Sequence, residues 1–381
     1  MKIPFNLPPH SSNEEKYISQ AIANRKLSGE GSFNKKVVEW LKHHLGCEMA
    51  VVTPSCTSAL EMAMVLADIG PGDEVILPSF TFTSTANVIA LYGATPVFVD
   101  VEPATMNIDV DALEKALTAK TKVVMPVHYA GVACEMDRIM ALSEKHGFIV
   151  VADAAQAILS SYKGKPTGAW GHMAAYSFHE TKNIVCGEGG ALIINDKRFL
   201  ERAEIVRDKG TNRQQFLNGQ VDKYTWQDKG SSYLQSELAV AFLLAQLEDG
   251  EKITSHRLAH WNQYHQGFAD LEKQGHLKRM QIPGDCQGNA HIYYFLTNSA
   301  EERTQLWSFL KENQIQSTFH YVPLHSAPAG LRFGRVSGSM KITDDLSARL
   351  LRMPMYADLT KEEVAFVVDK VHAFFAQRSR S

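Results

Sequence analysis

The chain has 381 residues, of which 45% are hydrophobic and 21% are charged, and its formal net charge at pH 7 is −3. This is the composition of an ordinary soluble protein, long enough for one large domain and a smaller one, and it excludes the disordered and fibrous classes. The small negative charge gives no general electrostatic attraction to nucleic acid or to an anionic membrane surface. Any anionic ligand must therefore be bound by local groups.

The N-terminus and the cysteines bear on the cellular compartment. The first ten residues lack the apolar core and the small-residue cleavage site of a secretory signal, so we expect a cytoplasmic protein. The longest apolar run, around residues 239–247, is far shorter than the roughly 20 residues that cross a bilayer. The five cysteines are scattered without CxxC pairs. This scatter predicts neither a metal site nor a disulfide framework.

Short apolar runs alternate with amphipathic segments from about residue 50 to 250. The runs predict strands at 74–78, 96–100, 122–127, 148–153, 173–178 and 191–195. Helical periodicity at 109–117 and 134–145 predicts crossover helices between them. Apolar strands alternating with helices are typical of a mostly parallel sheet covered on both faces, so the predicted fold class is α/β. We expect functional residues at the strand ends.

The C-terminal third of the chain differs from this pattern. A long apolar-periodic stretch is interrupted at 249–250, which predicts a large domain over 1–250, including the N-terminal segment, and a small domain over 251–381. Strands at 291–296 and 316–321, with helices at 301–312 and 361–375, predict that the small domain is α+β. Residues 208–232 are polar and lack periodicity, which predicts a long loop, and loops of this length are often functional.

Asp153 ends a β-branched run, so its carboxylate should project from the C-terminal end of a buried strand, where open α/β sheets bind ligands. A carboxylate in that position can keep a pyridine nitrogen protonated. A helix N-cap or a structural acid is the alternative. Gln156, three residues further on, is placed to donate a hydrogen bond to a hydroxyl of the same ring.

Lys182 lies 29 positions beyond Asp153, just after the predicted strand at 173–178 and before a glycine-rich segment at 187–190. The glycines permit a tight backbone reversal beside a bulky ligand, or they form a simple hairpin. Most lysines are solvated, but burial beside a cationic ring would favour the neutral amine that attacks an aldehyde. A lysine amine, an acid for a ring nitrogen and hydroxyls for a phosphate together predict a pyridoxal phosphate site.

The hydroxyls for a phosphate occur in residues 53–63, where small polar residues precede a helical pattern. Free backbone amides at a helix N-terminus suit a phosphate dianion, although an ordinary Ser/Thr cap is the alternative. Ser177 is a second candidate phosphate donor. Phe82 is placed to stack on the cofactor ring, or it belongs to the core. The glycines do not match GxGxxG, so no dinucleotide site is predicted.

These motifs resemble, in order and spacing, those of the DegT/DnrJ/StrS sugar aminotransferases. The matching segments are Ser55-Cys-Thr-Ser-Ala-Leu, Pro78-Ser-Phe-Thr-Phe, Asp153-Ala-Ala-Gln, Ser177-Phe-His-Glu-Thr-Lys-Asn and Gly187-Glu-Gly-Gly. The resemblance implies a fold-type I aminotransferase and a homodimer whose active site is shared between subunits. It also implies that an amino group passes from L-glutamate to a nucleotide-linked keto sugar by way of pyridoxal 5'-phosphate.

Site residues follow from the resemblance by position. It implies that Lys182 forms the covalent bond to the cofactor, that Asp153 pairs with the ring nitrogen, that Gln156 contacts the ring hydroxyl and that Phe82 stacks on the ring. The implied phosphate ligands are Cys56, Thr57 and Ser177. Many family members also reach the neighbouring subunit's phosphate with an Asn, where this chain has Ser232.

Segments at 127–137, 209–213, 219–226 and 230–234 are similar, more narrowly, to the WecE-type dTDP-4-amino-4,6-dideoxygalactose transaminases of the same family. This similarity implies amination of dTDP-4-keto-6-deoxy-D-glucose at C4, giving dTDP-4-amino-4,6-dideoxy-D-galactose for surface polysaccharide synthesis. The gluco epimer and a 3-keto sugar are alternatives. A non-catalytic regulatory protein on the same fold is the alternative from another class.

The resemblance implies substrate contacts on the remaining side of the site. They are His320, Tyr321 and His325 for the sugar, and Lys209, Arg213 and Trp226 for the diphosphate and base. Charge-assisted hydrogen bonds suit a diphosphate and stacking suits a base. For His320 and His325, a structural role is an equal alternative. For the charged residues of the predicted loop at 208–232, the alternative is that they are simply solvated.

Overall fold

The computed structural model describes residues 1–378. The helices are α1 (Glu14–Ala23), α2 (Ser32–Leu45), α3 (Cys56–Leu66), α4 (Thr83–Leu91), α5 (Val110–Ala116), α6 (Met136–His146), α7 (Leu200–Arg207), α8 (Arg213–Leu217), α9 (Glu237–Glu248), α10 (Gly250–Gly267), α11 (Ala269–Lys273), α12 (Ala300–Glu312), α13 (Pro328–Phe333), α14 (Lys341–Arg349) and α15 (Lys361–Arg378). The strands are β1 (Met49–Thr53), β2 (Glu74–Pro78), β3 (Thr95–Val99), β4 (Thr121–Val124), β5 (Ile149–Asp153), β6 (Ser161–Tyr162), β7 (Lys165–Pro166), β8 (Met173–Ser177), β9 (Gly190–Ile194), β10 (Leu277–Arg279), β11 (Cys286–Gln287), β12 (Tyr293–Thr297), β13 (Arg335–Val336) and β14 (Leu350–Met353).

The main sheet has the strand order β1-β9-β8-β5-β4-β2-β3-β13 within residues 1–378. Pairing is parallel from β8 to β13, whereas β9 runs antiparallel to both β8 and β1. The six strands predicted between residues 74 and 195 are confirmed. β5 lies between β4 and β8, so Asp153 ends a central strand of the sheet.

Alternating side chains of the strands pack against helices on opposite faces of the sheet. On β1, Val51 joins a core built with α3, whereas its neighbours Ala50 and Val52 join a second core built with α2 and α9. This alternation is the period of two that a strand imposes on its side chains. Since both faces are covered, the strand residues are apolar and polar groups are left to the strand ends. The α/β prediction is confirmed.

A smaller α+β unit, also as predicted, follows in the chain. Its antiparallel sheet has the order β10-β12-β14, and α10, α12 and α15 supply apolar side chains to the same core. Two strands from the C-terminal part of the chain pair with strands of the first 250 residues. β13 pairs in parallel with β3, and β11 pairs with β6. Ile3 forms a bridge to Ile315, which ties the N-terminal segment to this unit. A domain boundary near residue 250 stays a prediction, although α10 begins there.

Two local expectations need correction. The segment 316–321 is not a strand, and within it only Thr318 bridges to Arg352. The ladder does not extend because the Gln316 amide donates to the Ile3 carbonyl instead, and the next residue after β14 is Pro354, which has no N–H. The segment 208–232 is largely irregular, as expected, but it contains the short helix α8.

No helix within residues 1–378 combines the length and the apolar character needed to cross a bilayer. No group of three or more His, Cys, Asp or Glu side chains in that range is arranged to hold a metal ion.

Candidate active site

A cavity of about 690 Å³ lies at the C-terminal ends of β5 and β8, where the small α+β unit packs against the main sheet. We call the lining residues from 1–250 the large-domain wall and those from 251–378 the small-domain wall. The sequence-predicted residues that line this cavity are Cys56, Thr57, Phe82, Asp153, Gln156, Ser177, Lys182, His320 and Tyr321. The fold therefore brings together positions that are spread over most of the chain.

Asp153 is held rigidly on the large-domain wall. Its backbone amide donates to the Pro126 carbonyl at 2.9 Å, and its carboxylate accepts hydrogen bonds from Thr85 Oγ1 at 2.7 Å and from the Ala155 amide at 3.0 Å. The residue is only 5% exposed, and no ion pair to it forms within residues 1–378. Burial raises the pKa of this carboxyl above its usual value. A cationic group in the cavity would supply the charge partner that this carboxylate lacks.

Lys182 lies in the tight connection between β8 and β9. The connection is closed by backbone hydrogen bonds from Phe178 to Gly189 and from Cys186 to Phe178, both 2.8 Å, and the Lys182 amide donates to His179. Burial lowers the pKa of the Lys182 amine, although the nearby Cys56 and Asp153 act in the opposite direction. The amine therefore reaches its neutral, nucleophilic form at lower pH than a free lysine does.

The N-terminus of α3 forms a polar cradle at the cavity. Ser55 caps the helix by accepting a hydrogen bond from the Ser58 amide at 3.0 Å. The amides of Cys56 and Thr57, which precede Ser58 in the first turn of α3, have no intrahelical partner. Thr57 Oγ1 is 2.8 Å from Ser84 Oγ, and Ser177 lines the cavity from the end of β8. A Cβ at Gly190 would collide with the Cys56 amide, so the glycine lets β9 approach this helix start. The cradle suits a phosphate dianion.

Gln156 joins the two walls. Its Oε1 accepts a hydrogen bond from the Ala130 amide at 2.7 Å, and its Nε2 donates to the Tyr321 hydroxyl at 3.0 Å. On the small-domain wall, the rings of His320 and Tyr321 lie with their centroids 3.5 Å apart, and His320 Nδ1 is 3.1 Å from the Tyr129 hydroxyl. These contacts fix both rings beside Gln156.

His291 also lines the cavity, next to the lysine turn. Asn183 Nδ2 donates to the Asn289 carbonyl at 2.8 Å, so Asn183 Oδ1 is the acceptor in its 2.9 Å contact with His291 Nδ1. Burial, reinforced by the positive charge of Lys182, holds the pKa of His291 well below its usual value. The ring is thus neutral with its proton on Nδ1, and Nε2 can only accept a hydrogen bond.

The model of the DegT/DnrJ/EryC1/StrS aminotransferase family matches residues 9–372 of this chain. The chain belongs to this family. The match confirms the family resemblance seen in the sequence motifs, and the architecture described above is the fold-type I aminotransferase fold that the resemblance implied.

Three relatives illustrate the range of this family. A pleiotropic regulatory protein of Geobacillus stearothermophilus is 35% identical over 88% of this chain and 85% of its own length. A GDP-perosamine synthase of Escherichia coli O157:H7 is 28% identical over 99% of both chains. The solved PLP form of the putative sugar aminotransferase Spr1654 of Streptococcus pneumoniae has a TM-score of 0.90, with 25% identity over 99% of both chains.

The cavity fits pyridoxal phosphate, and membership of this aminotransferase family confirms the cofactor prediction. The buried Asp153 lacks a cation, which a protonated ring nitrogen would provide, and Lys182 would supply the amine that bonds to the aldehyde. The α3 cradle would hold the phosphate. Phe82 lines the cavity and is 58% exposed, so its ring has a free face for stacking.

Several predicted residues do not line the cavity of this chain. Lys209 and Arg213 both pair with Asp208, at 2.8 Å and 3.2 Å, and Trp226 is 80% exposed. Ser232 is exposed and pairs through its backbone with Asp208. All four belong to the segment 208–232, so their substrate and phosphate roles stay predictions that require a second subunit.

His325 is the predicted sugar ligand whose observed contacts are structural. Its Nδ1 lies 2.7 Å from Ser79 Oγ, its amide donates to the same oxygen at 3.0 Å, and its Nε2 lies 3.4 Å from Asp344. These contacts anchor the segment after Pro323 to the end of β2. The structure does not bring His325 to the cavity wall, and its role in sugar binding stays a prediction.

Sequence reasoning missed several residues of the site: Phe5, Asn6, Ser84, Thr85, His291 and Arg352. The sequence gives a weak signal for Thr85, because it lies four positions after Thr81 at the start of a helix. In the structure the two hydroxyls are 2.9 Å apart. Arg352 is the third residue of the four-residue strand β14, but nothing in that local pattern indicates a cavity.

Proposed function

We propose that this aminotransferase moves an amino group from L-glutamate to C4 of dTDP-4-keto-6-deoxy-D-glucose, giving dTDP-4-amino-4,6-dideoxy-D-galactose. The observation that carries the chemistry is that Asp153, Lys182 and the α3 cradle line one cavity. The choice of sugar is supported by the similarity of residues 127–137 and 219–226 to the WecE-type transaminases.

Two residues of the large-domain wall, Asp153 and Lys182, act directly in this reaction. Pyridoxal phosphate, when bound, supplies an aldehyde that takes up the amino group and a ring that withdraws electrons from the substrate carbon. Asp153 holds a proton on the ring nitrogen, and the Thr85 and Ala155 hydrogen bonds orient its carboxylate. Lys182 Nζ would carry the proton between the substrate carbon and the cofactor side.

The enzyme acts, in this proposal, as a homodimer in which residues 208–232 of one subunit reach the cavity of the other. The supporting observation is that these residues carry exposed Trp226 and Tyr224 beside the basic Lys209 and Arg213, yet line no part of their own cavity. Exposed aromatic rings and arginines are enriched at protein interfaces and ligand sites.

A complementation experiment tests the shared site. Lys182→Ala and the double variant Lys209→Ala/Arg213→Ala should each be poorly active alone, the latter through lost diphosphate contacts. After mixing and subunit exchange, one site of each heterodimer would combine an intact lysine with an intact loop. Recovery of activity is expected, and a mixture no more active than its components would contradict a site built by two subunits.

The substrate is tested by incubating the holoenzyme with L-glutamate and dTDP-4-keto-6-deoxy-D-glucose and analysing the product by NMR. The expected product carries nitrogen at C4 with galacto configuration. A GDP-linked 4-keto-6-deoxy sugar is the comparison substrate, because two relatives are GDP-perosamine synthases. Faster turnover of the GDP sugar, the gluco epimer or amination at C3 would each overturn the proposed substrate while leaving the aminotransferase activity in place.

A second candidate is a regulatory protein, favoured by the name of the Geobacillus stearothermophilus relative. A protein that acts only as a regulator has no need of a lysine with a lowered pKa and a buried acid at one cavity, and both residues are present here. The two candidates differ in one measurement. The reconstituted enzyme should lose its yellow colour with L-glutamate, whereas a non-catalytic protein would keep it.

A further inference from the structure

A buried polar network connects the turn that carries Lys182 to the small domain. Asn183, the next residue in the chain, donates from Nδ2 to the Asn289 carbonyl at 2.8 Å, and its Oδ1 accepts from His291 Nδ1 at 2.9 Å. We call Asn183, Asn289 and His291 the lysine clamp. Both polar ends of the Asn183 side chain are used, so residues 106 and 108 positions away in the chain set its place.

The small-domain side of the lysine clamp is itself held in place. Asn289 is fully buried, and its Nδ2 donates to the carbonyls of Gln156 and Ile158, at 2.9 Å and 2.8 Å. Its Oδ1 accepts from the His291 amide at 3.0 Å, and the His291 carbonyl accepts from Arg257 Nη2 at 2.6 Å. A buried network whose amide groups are all paired rigidifies its surroundings and specifies one arrangement of them.

Stability alone does not account for a polar network at this place. Replacing both partners of a buried hydrogen bond by apolar groups of the same shape is often neutral for stability, whereas a hydrogen bond also fixes direction. The arrangement that the lysine clamp fixes is that of Lys182 relative to the cavity, because Asn183 is its neighbour and His291 lines the cavity wall. The lysine amine ends a flexible four-carbon stem, so its reach depends on where the backbone is held.

We propose that Asn183 is a positioning residue for Lys182, held in place by His291 and Asn289. Its two hydrogen bonds fix the backbone beside Lys182 so that the amine reaches the cofactor aldehyde and the substrate carbon. A displacement of about 1 Å at a reacting group can cost roughly 100-fold in rate. The proposal rests on the aminotransferase function proposed above. Since the lysine acts in both half-reactions, the lysine clamp supports both.

The test compares two forms of the cofactor, of which only one can bond to a lysine. The full-length chain, freed of cofactor, is titrated with pyridoxal phosphate and separately with pyridoxamine phosphate, which has an amine in place of the aldehyde. Wild type should bind the aldehyde form more tightly because of the covalent bond. A misplaced lysine weakens the binding of that form alone, whereas general damage to the cavity weakens the binding of both. The ratio of the two affinities therefore reports the position of Lys182.

Four variants are compared with wild type. Asn183→Ala removes both hydrogen bonds of the side chain, and His291→Leu removes one of them. His291→Asn is the conservative variant, because the Asn amide keeps a donor near the place of Nδ1. Asn107→Ala is the matched control. Asn107 is also buried and donates to the carbonyls of Val132 and Ala133, but it does not line the cavity.

Asn183→Ala should weaken the affinity for pyridoxal phosphate by about 10-fold, the scale of a lost hydrogen bond that leaves a buried partner unpaired. The affinity for pyridoxamine phosphate should stay near wild type. At saturating L-glutamate the rate of the first half-reaction should fall by about 10- to 100-fold, with the half-saturating concentration unchanged. His291→Leu should change the affinity ratio in the same direction, and His291→Asn should restore it. If Asn183→Ala does not fold, the two His291 variants decide.

The contrary outcomes are separable. A wild-type affinity ratio in both Asn183→Ala and His291→Leu would overturn the positioning role. Equal weakening of both cofactor forms, or the same change of ratio in Asn107→Ala, would show that the network only maintains the fold, which also overturns that role. A wild-type enzyme that keeps its colour with L-glutamate would overturn the proposed function, whereas the affinity ratio would still report on the lysine clamp.

Discussion

The two walls of the cavity differ in how their polar groups are satisfied. On the large-domain wall, Asp153 accepts hydrogen bonds from Thr85 and Ala155, and Gln156 bonds to both Ala130 and Tyr321. On the small-domain wall, Arg352 Nε is buried without a hydrogen-bond partner among residues 1–378, and His291 presents an unprotonated Nε2. The polar groups of the first wall are paired within the protein, whereas the second wall keeps unpaired polar groups that a ligand can bind.

This difference matches the two tasks of an aminotransferase. A cofactor that stays bound through every cycle is best held by preorganised groups, because reorganising them in each cycle would raise the barrier. A wall that must accept first an amino acid and then a sugar cannot be satisfied permanently by its own side chains. Substitutions of Asp153 and Lys182 on the large-domain wall should therefore abolish the chemistry, and substitutions of the unpaired groups on the small-domain wall should change which substrate is accepted.

The largest expected effect comes from Lys182→Ala. Without the amine, the enzyme loses its covalent bond to the cofactor and its proton carrier, so we expect turnover to fall by at least about 10⁴-fold, the upper range for a positioned proton carrier. The measurement is steady-state transamination, with thermal unfolding to show that the fold is intact. Lys197→Ala, at a side chain that is 76% exposed, is the control. Substantial residual turnover in the Lys182 variant would refute the assignment.

Asp153→Asn should have the next largest effect. The substitution keeps the shape and the hydrogen bond to Thr85 but removes the counter-charge of the ring nitrogen. We expect kcat to fall by about 10²- to 10³-fold, roughly 3–4 kcal/mol, the scale of a lost preorganised electrostatic contact. Single-turnover loss of colour with L-glutamate gives the rate. A near-normal rate would mean that another group keeps the ring protonated.

The large-domain wall could be predicted from sequence because its residues stand at recognisable places. Asp153 and Lys182 each follow an apolar run, so their positions at strand ends follow from the pattern of the run itself. Their supporting partners could not be predicted in this way. Thr85 lies 68 positions from Asp153, and His291 lies 108 positions from Asn183, so only the tertiary fold shows that they meet.

The small-domain wall was harder to predict for a related reason. The alternation of residues 316–321 favours a strand, but Gln316 bonds to the N-terminal segment and His320 and Tyr321 turn into the cavity. The two-residue β13 is too short to leave a period in the sequence, although it completes the edge of the main sheet. Local pattern therefore identified the elements of this unit but not the contacts that build its part of the site.

A third prediction concerns pH and the interior behind the large-domain wall. Buried His128, whose Nδ1 accepts from the Cys134 amide, has its pKa lowered by burial from 6.5 to about 4. The unfolded chain then binds the proton more readily than the folded one, so this contribution to stability is complete above pH 6.5 and is lost as the pH falls toward 4. We expect His128 alone to cost about 2 kcal/mol of unfolding free energy between pH 7 and pH 5.

The His128→Asn variant isolates that contribution. Asn keeps an acceptor for the Cys134 amide but does not titrate, so urea unfolding should depend on pH less than in wild type, by the amount given above. Burial lowers the pKa values of His291 and His320 as well, so the stability of the variant still depends on pH. Its pH profile is therefore compared with that of wild type and not with a flat profile. An identical pH dependence in the two proteins would show that His128 is protonated without penalty.

The smallest effect is expected at the contact that joins the walls. Tyr321→Phe removes the hydroxyl that accepts from Gln156 Nε2 and leaves the ring in place. The loss should be about 1 kcal/mol, or roughly 5-fold in kcat/KM, the usual value of a neutral hydrogen bond. Because the contact spans both walls, both half-reactions should slow by similar factors. A loss in only one half-reaction would show that Tyr321 contacts a substrate directly.

The most direct measurement is the absorbance of the reconstituted enzyme during one complete cycle. If Lys182 and Asp153 serve one cofactor in this cavity, the protein is yellow, L-glutamate removes the colour, and the keto sugar restores it as the aminosugar forms. A protein that binds pyridoxal phosphate yet keeps its colour with L-glutamate, or that loses the colour and does not recover it with a keto sugar, would contradict the account.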